Sequence, residues 1–417
     1  MPYGLGAEYC ARPEVFAEAA VERQNHYKAA FFETSNAGGK VVKVTMFGIL
    51  TWYKTYNYGS VLQAYSLVSK INDLGYNAEV VQYCRGTDVV FTGRANKLRD
   101  TLRRIPPALV RRLFWKHYRL KARRFDLFLE KNIPQSRVYT VGEEIAKDCG
   151  RYAAFLCGSD QIWTPSIRYL DSVYFLDFVP RTVGKIAYAP SIGCNYIPER
   201  LKPKMKELIG RIDFLSVREE HGAELIEALC GRRPEVVLDP TLLRTKKEWE
   251  DFSVTPELSE PYILCYFLGG RRPLREFALR LKKKTGYKVV VIPAVNQDLF
   301  FGDIRKIDAG PREFVGLIQN AAYICTDSFH GTILSINLEK DFFALKRHEE
   351  NDPENQNFRL IHILDRLGLS SRLVIEENGD ADLTPIDYSP VRKRLEAERM
   401  KSLGYLTDAL EHYKAVE

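Results

Sequence analysis

VVKVTMFGIL, TWYKTYNYG, SVLQAYSLVSKINDLG, YN and AEVVQY follow one another over residues 41–83, and this stretch decides the fold class. The first ten residues form a short apolar run rich in β-branched side chains, the pattern of a strand covered on both faces. The next nine are turn formers and aromatics, which predict a loop. SVLQAYSLVSKINDLG spaces its apolar residues for one helical face and closes on Gly75, so it predicts an amphipathic helix. AEVVQY is a second strand. Strand, loop, helix and strand in that order call for a parallel sheet with covered faces.

Working outward, the rhythm repeats. AAFLCG (153–158), GKIAYAPSIG (184–193), DFLSVRE (213–219) and PEVVLDP (234–240) are short apolar runs between helical stretches. Near residues 243–260 the pattern gives way to a polar linker with Pro256 and Pro261 close by. A second set follows: YILCYFLGG (262–270), the helix REFALRLKKKTG (275–286), KVVVIPA (288–294), the helix PREFVGLIQNA (311–321), YICTDS (323–328), a helix from Gly331, and DFFALKR (341–347). Two successive α/β units of similar size predict two Rossmann-like domains, 41–245 and 246–385, facing each other across a ligand cleft. In such sheets ligands sit at the carboxyl ends of the strands. A last helix within 386–417 is expected to pack back across either lobe. Residues 1–40 show no strand rhythm and read as an extension ending in the flexible joint SNAGGK.

The 417 residues suit two cores better than one. With 45% hydrophobic and 28% charged residues the composition is globular. No run of apolar residues is long enough to span a membrane, and the first residues do not read as a secretory signal. Eight scattered cysteines without a CxxC pair read as buried thiols of a reducing compartment, so a cytoplasmic location is expected. The net charge of +7 is local. Residues 94–131 hold thirteen Lys/Arg against three Asp/Glu, a local +10, and the remainder sums to −3. A nucleic-acid role for the whole chain is therefore disfavoured. Within that segment RRLFWKHYRLKARRFDLF mixes aromatics with cations, which suits an anionic membrane surface. The other reading is a helical hairpin with Leu113, Phe114, Tyr118, Phe125 and Phe128 as one buried stripe.

Several strand-end loops carry groups able to do chemistry. In TYNYGS (55–60), Asn57 and Gly59 permit unusual backbone angles and Ser60 can cap the helix, leaving N–H groups for an anion. A plain βα turn uses the same residues. CGSDQIWT (157–164) offers the Ser159 hydroxyl, the Asp160 carboxylate, the Gln161 amide and Trp163 as a plane for a sugar. In SVREEHG (216–222), Arg218 presents a two-pronged donor suited to a carboxylate or phosphate, or a salt bridge to a neighbouring acid. TDSFHGT (326–332) places His330 where a strand stops. It is a natural proton donor near neutral pH, with hydroxyls from Ser328 and Thr332 and close backbone approach at Gly331. VVLDPT (236–241) puts Asp239 at a strand end, as a general base or a helix cap.

In this order and spacing, NYGSVLQAYSL (57–67), GSDQIW (158–163), SVRE (216–219), VVLDPT (236–241) and TDSFHGTILSI (326–336) resemble the polysaccharide pyruvyl transferase family. The resemblance implies two facing Rossmann domains in the GT-B arrangement, phosphoenolpyruvate as donor and a surface or cell-wall polysaccharide sugar as acceptor. It makes Arg218 the donor-binding arginine, His330 the catalytic histidine and Asp239 the acid of an Asp-Pro element. Two departures stand out. Ser328 occupies the place where other members carry an arginine two residues before the histidine, so a second cation is needed from Lys346 or Arg347. Ser60 stands where other members carry an aspartate. On this reading His330 protonates the vinyl carbon of phosphoenolpyruvate, a sugar hydroxyl attacks with Asp239 as base, phosphate leaves and a second hydroxyl closes the ketal. No metal or further cofactor is expected. The alternatives are a nucleotide-sugar glycosyltransferase of the same fold and an inactive carbohydrate-binding relative. Against the first, the segment after TDSFHG lacks a pair of glutamates eight apart.

Overall fold

The computed structural model describes residues 45–84, 107–165, 170–349, 352, 355–374 and 381–414. The expected extension 1–40 with its glycine joint, and residues 94–106 of the basic segment, lie outside the described residues. The N-terminal lobe is built on β1 (Met46–Leu50), β2 (Asn77–Tyr83), β3 (Gln135–Tyr139), β4 (Ala154–Cys157), β5 (Gly184–Ala187), β6 (Phe214–Val217) and β7 (Glu235–Val236). Its helices are α1 (Tyr58–Asp73), α2 (Pro107–Asn132), α3 (Gly142–Lys147), α4 (Lys202–Ile209), α5 (Glu220–Cys230), α6 (Pro240–Leu243) and α7 (Lys246–Phe252). The C-terminal lobe has β8 (Tyr262–Tyr266), β9 (Lys288–Val291), β10 (Ile304–Arg305), β11 (Tyr323–Thr326), β12 (Phe342–Leu345) and β13 (Leu373–Val374). Around them lie α8 (Arg272–Thr285), α9 (Pro311–Asn320), α10 (Phe329–Asn337), α11 (Phe358–Leu367) and α12 (Tyr388–His412).

The two sheets share one plan. The first runs β3-β2-β1-β4-β5-β6-β7 and the second β10-β9-β8-β11-β12-β13, with the central pairs β1–β4 and β8–β11 parallel. Each therefore reverses its winding once, between β1 and β4 and between β8 and β11. The helices connecting to either side leave opposite faces there, so a crevice opens at the carboxyl ends. The central strands are fully buried because helices cover both faces, as their unbroken apolar runs foretell. Gly75 and Gly286 end α1 and α8 with φ of +86° and +73°, a conformation that a side chain would strain.

One hydrophobic cluster runs through both lobes, from Phe47 and Ile49 of β1 through α1 to Trp249, Tyr266 and Phe314. The expected polar linker is part of it. Within 243–260 the chain forms α7, started by a Thr245–Glu248 capping box, and Trp249 is fully buried with its indole N–H donated to Thr241 O at 3.0 Å. Two apolar side chains in a charged heptapeptide are too few to show a period, so packing rather than pattern makes this helix. The basic helix α2 buries Phe125 and Phe128, while Phe114 and Tyr118 pack beside Leu299 and Ile307 and Leu113 is exposed. Arg124 reaches across to Asp308 and Glu313 of the second lobe. Lys121 sits 4.6 Å above the Tyr58 ring, where burial pushes its ammonium down to about 8. The last helix, α12, spans both lobes: Tyr388 Oη donates to Lys340 O at 2.6 Å near its start, and Tyr405 Oη donates to Ala187 O at 2.9 Å near its end. All seven described cysteines are free thiols.

Candidate functional site

Asp239 is the centre of the site. It follows β7, and Pro240 behind it begins α6, so its carboxylate caps that helix and accepts from Thr241 N at 3.0 Å and Thr241 Oγ1 at 2.8 Å through Oδ1. Oδ2 accepts from Ser159 Oγ at 2.9 Å and from Arg218 Nη1 at 2.9 Å, and lies 3.4 Å from His330 Nε2. Burial by itself would raise the pKa of this carboxyl. The positive charge of His330, then that of Arg218 and the Thr241 N–H, outweigh it and hold the group well below the usual carboxylate range. With both oxygens engaged and no exposed surface on the side chain, Asp239 is built to position its cations. The expectation of an open general base at this carboxylate does not fit that environment.

Arg218 leaves the end of β6 with its guanidinium buried. Burial works against its charge, and Asp239, Glu219 and Asp160 more than restore it. Nη1 is taken by Asp239, and the Phe329 ring lies 4.4 Å from the guanidinium carbon. Nε and Nη2, which form the other edge of the guanidinium, have no hydrogen-bond partner. A buried two-donor fork left empty is costly in a folded chain unless a ligand completes it.

From the second lobe comes His330, in the first turn of α10. Its ring lies against α1: a Cβ placed on Gly59 would stand 2.1 Å from His330 Nδ1. The glycine of the first loop therefore makes room for the imidazole, with no need of a positive φ. Nε2 has no hydrogen-bond partner.

The other expected residues divide. Ser159 and Asp160 join the web, Asp160 accepting from Ser60 Oγ at 2.5 Å and from Gln161 N at 2.9 Å while holding φ at +73°. With its amide turned so that the oxygen faces the Arg359 guanidinium, Gln161 accepts from Arg359 Nη1 at 2.7 Å, which ties the β4 loop to α11 of the other lobe. Asn57 is the cap of α1, its side chain accepting from Ser60 N at 3.3 Å. Ser328 caps α10 by accepting from Gly331 N at 3.3 Å, and Gly331 is close-packed on Thr326 Oγ1, so both serve the helix start. Thr332 is fully buried with an unpartnered hydroxyl. Trp163 cannot be a sugar platform: it is fully buried, stacked at 5.1 Å on Phe175, with its N–H donated to Tyr174 O. Arg347 is turned to Asp327, donating to its carbonyl at 2.9 Å.

Between the lobes a cavity of about 640 Å³ opens beside this web. Arg218, Glu219 and Asp239 form its inner wall, Phe329 its edge, and Arg359, His362 and Arg366 of α11 the opposite wall. His330 reaches the web through Asp239 and does not line this cavity, and neither Lys346 nor Arg347 does. Besides Arg218, the cations that line it are Arg233, Arg359, Arg366 and Lys401.

A family model described as polysaccharide pyruvyl transferase matches residues 57–349. The chain belongs to that family. The protein is accordingly a transferase. A search of the curated proteins found no match. Among solved structures, UDP-GlcNAc 2-epimerase from Neisseria meningitidis bound to UDP-GlcNAc aligns at 12% identity over 89% of this chain and 93% of its own, with a TM-score of 0.41. A putative UDP-N-acetylglucosamine 2-epimerase from Listeria monocytogenes aligns at 9% identity over 90% and 98%, with a TM-score of 0.44. ADP-heptose lps heptosyltransferase II from E. coli aligns at 14% identity over 86% and 100%, with a TM-score of 0.33.

The matched span holds every web residue of this pyruvyl transferase family member but ends before Arg359 and His362. Those two were missed from sequence. They stand one turn apart in FRLIHILDRL, where an Arg and a His read as the polar edge of an amphipathic helix. Glu219 was quoted within SVRE without a role.

Proposed function

We propose that this pyruvyl transferase family member moves the pyruvyl group of phosphoenolpyruvate to two hydroxyls of a sugar in a surface or cell-wall polysaccharide, forming a ketal and releasing phosphate. The observation that carries this reading is the Nε/Nη2 fork of Arg218, without a hydrogen-bond partner though Glu219 Oε2 lies 3.7 Å from Nε, buried at the wall of the interlobe cavity and adjoining the Asp239–His330 pair. A fork of that geometry matches a carboxylate or phosphoryl group in two parallel hydrogen bonds, and Arg359 opposite supplies a second positive charge. His330, met by a donor that extends past Arg218 to the Asp239–His330 pair, donates a proton to the vinyl CH2 carbon. One hydroxyl oxygen bonds to the adjacent carbon, and the bond from that carbon to the phosphate oxygen breaks. The second hydroxyl oxygen takes its place and its proton leaves with phosphate. Asp239 holds Arg218 and His330 in register. Phosphoenolpyruvate acts here as co-substrate, with no metal or other cofactor.

Phosphate release from phosphoenolpyruvate, measured across a panel of sugar acceptors after dialysis against chelator, is expected to depend on an acceptor. Titration calorimetry that finds binding of uridine nucleotides and none of phosphoenolpyruvate would overturn the donor in favour of nucleotide-sugar transfer. Acceptor-independent binding without turnover would favour a carbohydrate-binding relative.

We also propose a cytoplasmic enzyme that touches the inner membrane face through α2. No described helix is long and apolar enough to cross a membrane. On α2, however, Leu113, Trp115, Leu120 and Leu127 are exposed beside Lys116, Arg119 and Arg123. Such a face suits anionic headgroups holding a lipid-linked acceptor. Co-sedimentation with anionic vesicles that falls as salt rises is expected, and no binding at low salt would remove the contact.

A further inference from the structure

The attacking hydroxyl needs somewhere to leave its proton, and Asp239 has no free oxygen for it. Four other carboxylates line the cavity. Glu220 is paired with Arg233, and Glu235 with Lys401 at 3.2 Å. Asp365 is exposed at the rim and accepts from Ser370 Oγ at 3.3 Å. The fourth is Glu219. It stands at the cap position of α5, yet its side chain makes no bond to that helix. Short polar side chains normally take that place because they can satisfy the first N–H groups. Here the carboxylate reaches back to the loop after β5 instead. Oε1 accepts from Ser191 Oγ at 2.8 Å, Ile192 N at 3.0 Å and Gly193 N at 3.4 Å. Gly193 turns that loop with φ of +62°, where a side chain would collide with Thr164 and Gln161. One oxygen is thus gripped by three donors. The other, Oε2, has no hydrogen-bond partner although Glu219 is only 4% exposed, and it lies 3.7 Å from Arg218 Nε.

We infer that Glu219 is the proton acceptor for the sugar hydroxyl, an inference that rests on the pyruvyl-transfer reading. A carboxylate held rigid by one oxygen and open at the other, beside the donor-binding fork, is placed to orient a hydroxyl toward a group held by Arg218. As the hydroxyl oxygen bonds to the central carbon of the donor, its proton passes to Oε2. His330 gives a proton to the terminal carbon in the same addition, and solvent exchange returns the Glu219 proton to His330, so each turnover restores both groups. The charged and titratable groups around Glu219 are Arg218 on its own strand end, Asp160 and Asp239 beyond it, Cys194 on the β5 loop, and Arg359 and His362 across the cavity.

The test is Glu219→Gln, which keeps an oxygen for Ser191 and the loop N–H groups but removes the basic one. Acceptor-dependent phosphate release should fall by about 10²–10⁴-fold and the acidic limb of the pH–rate profile should vanish, with phosphoenolpyruvate affinity no weaker than in the wild type. Glu219→Asp, which keeps a carboxylate, should retain the acidic limb at a reduced rate. A lower melting temperature and weaker donor binding in both variants, with the limb intact in Glu219→Gln, would show a merely structural anchor and overturn the inference. Wild-type enzyme that releases no phosphate with any acceptor overturns the donor reading and this inference together. Active wild type with a near-normal Glu219→Gln overturns this inference alone.

Discussion

The two lobes wind their strands in the same order, yet the carboxyl ends at their switch points are furnished differently. In the N-terminal lobe, Ser159, Asp160, Arg218, Glu219 and Asp239 form a buried web of alternating charge with open donors and one open acceptor. In the C-terminal lobe the corresponding carboxylate, Asp327, spends both oxygens on Leu268 N at 2.6 Å and Gly269 N at 2.7 Å, which ties β8 to β11. That lobe sends a single titratable ring, His330, into the web, with the Phe329 ring laid on Arg218. One lobe holds charge and the other delivers a titratable group, so topology locates the crevice and the strand-end residues decide its use.

The division can be broken from either side. The largest effect is expected where the C-terminal lobe makes its one delivery: His330→Ala should lower turnover by ~10²–10⁴-fold with the fold intact, and a near-normal rate in the purified variant would remove the histidine from catalysis. On the N-terminal side, Asp239→Asn takes the charge out of the web and should cost about 3–5 kcal/mol at pH 7 in urea unfolding, since it leaves Arg218 buried beside a neutral amide. The sign with pH follows from the depressed carboxyl. Its stabilisation is complete above the unfolded value of about 3.9 and is lost as pH falls through the lower folded one, so the gap between wild type and variant should be level from pH 7 to 5 and close in stronger acid. A gap unchanged at pH 3 would show that Asp239 does not carry the charge.

The contact between lobes is tested at Gly59. Gly59→Ala leaves α1 intact but pushes its methyl into the imidazole, and should reduce turnover by ~10²-fold through misplacement alone. Full activity would mean that the ring need not lie there. Arg218→Lys keeps the charge and loses the fork, so calorimetric affinity for phosphoenolpyruvate should weaken by about 10-fold or more. Equal affinity would make Arg218 a diffuse charge. The smallest effect separates web from core: Trp163→Phe should lower the melting temperature while leaving the acceptor KM within about twofold, because the indole is packing on Phe175. A large rise in KM for the sugar would restore Trp163 to the site.

Central strands were legible because both faces are covered and the apolar run is unbroken, as in β4 and β11. The edge strand β3, QSRVY, was not, since two of its five residues are exposed and no such run exists. Of the site, Arg218, Ser159, Asp160 and Asp239 were found because each follows an apolar strand run, and His330 because it lies in the loop-to-helix turn after β11. Arg359 was missed because it lies on a helix face, where an arginine is ordinary, and only its burial against the interlobe cavity reveals its inward direction. Trp163 was misread because a polar loop says nothing about which way one ring turns.

By itself the sequence determined two parallel α/β lobes and the strand ends at which chemistry is placed, because periodicity and glycine stops are local and survive without tertiary contacts. Which carboxylate is closed and which is open was decided only in three dimensions. Asp239 and Glu219 are both acids at strand ends, and nothing local separates them. Ser159, Arg218 and His330 converge on one from other parts of the chain, while Ser191 and its loop grip the other by a single oxygen.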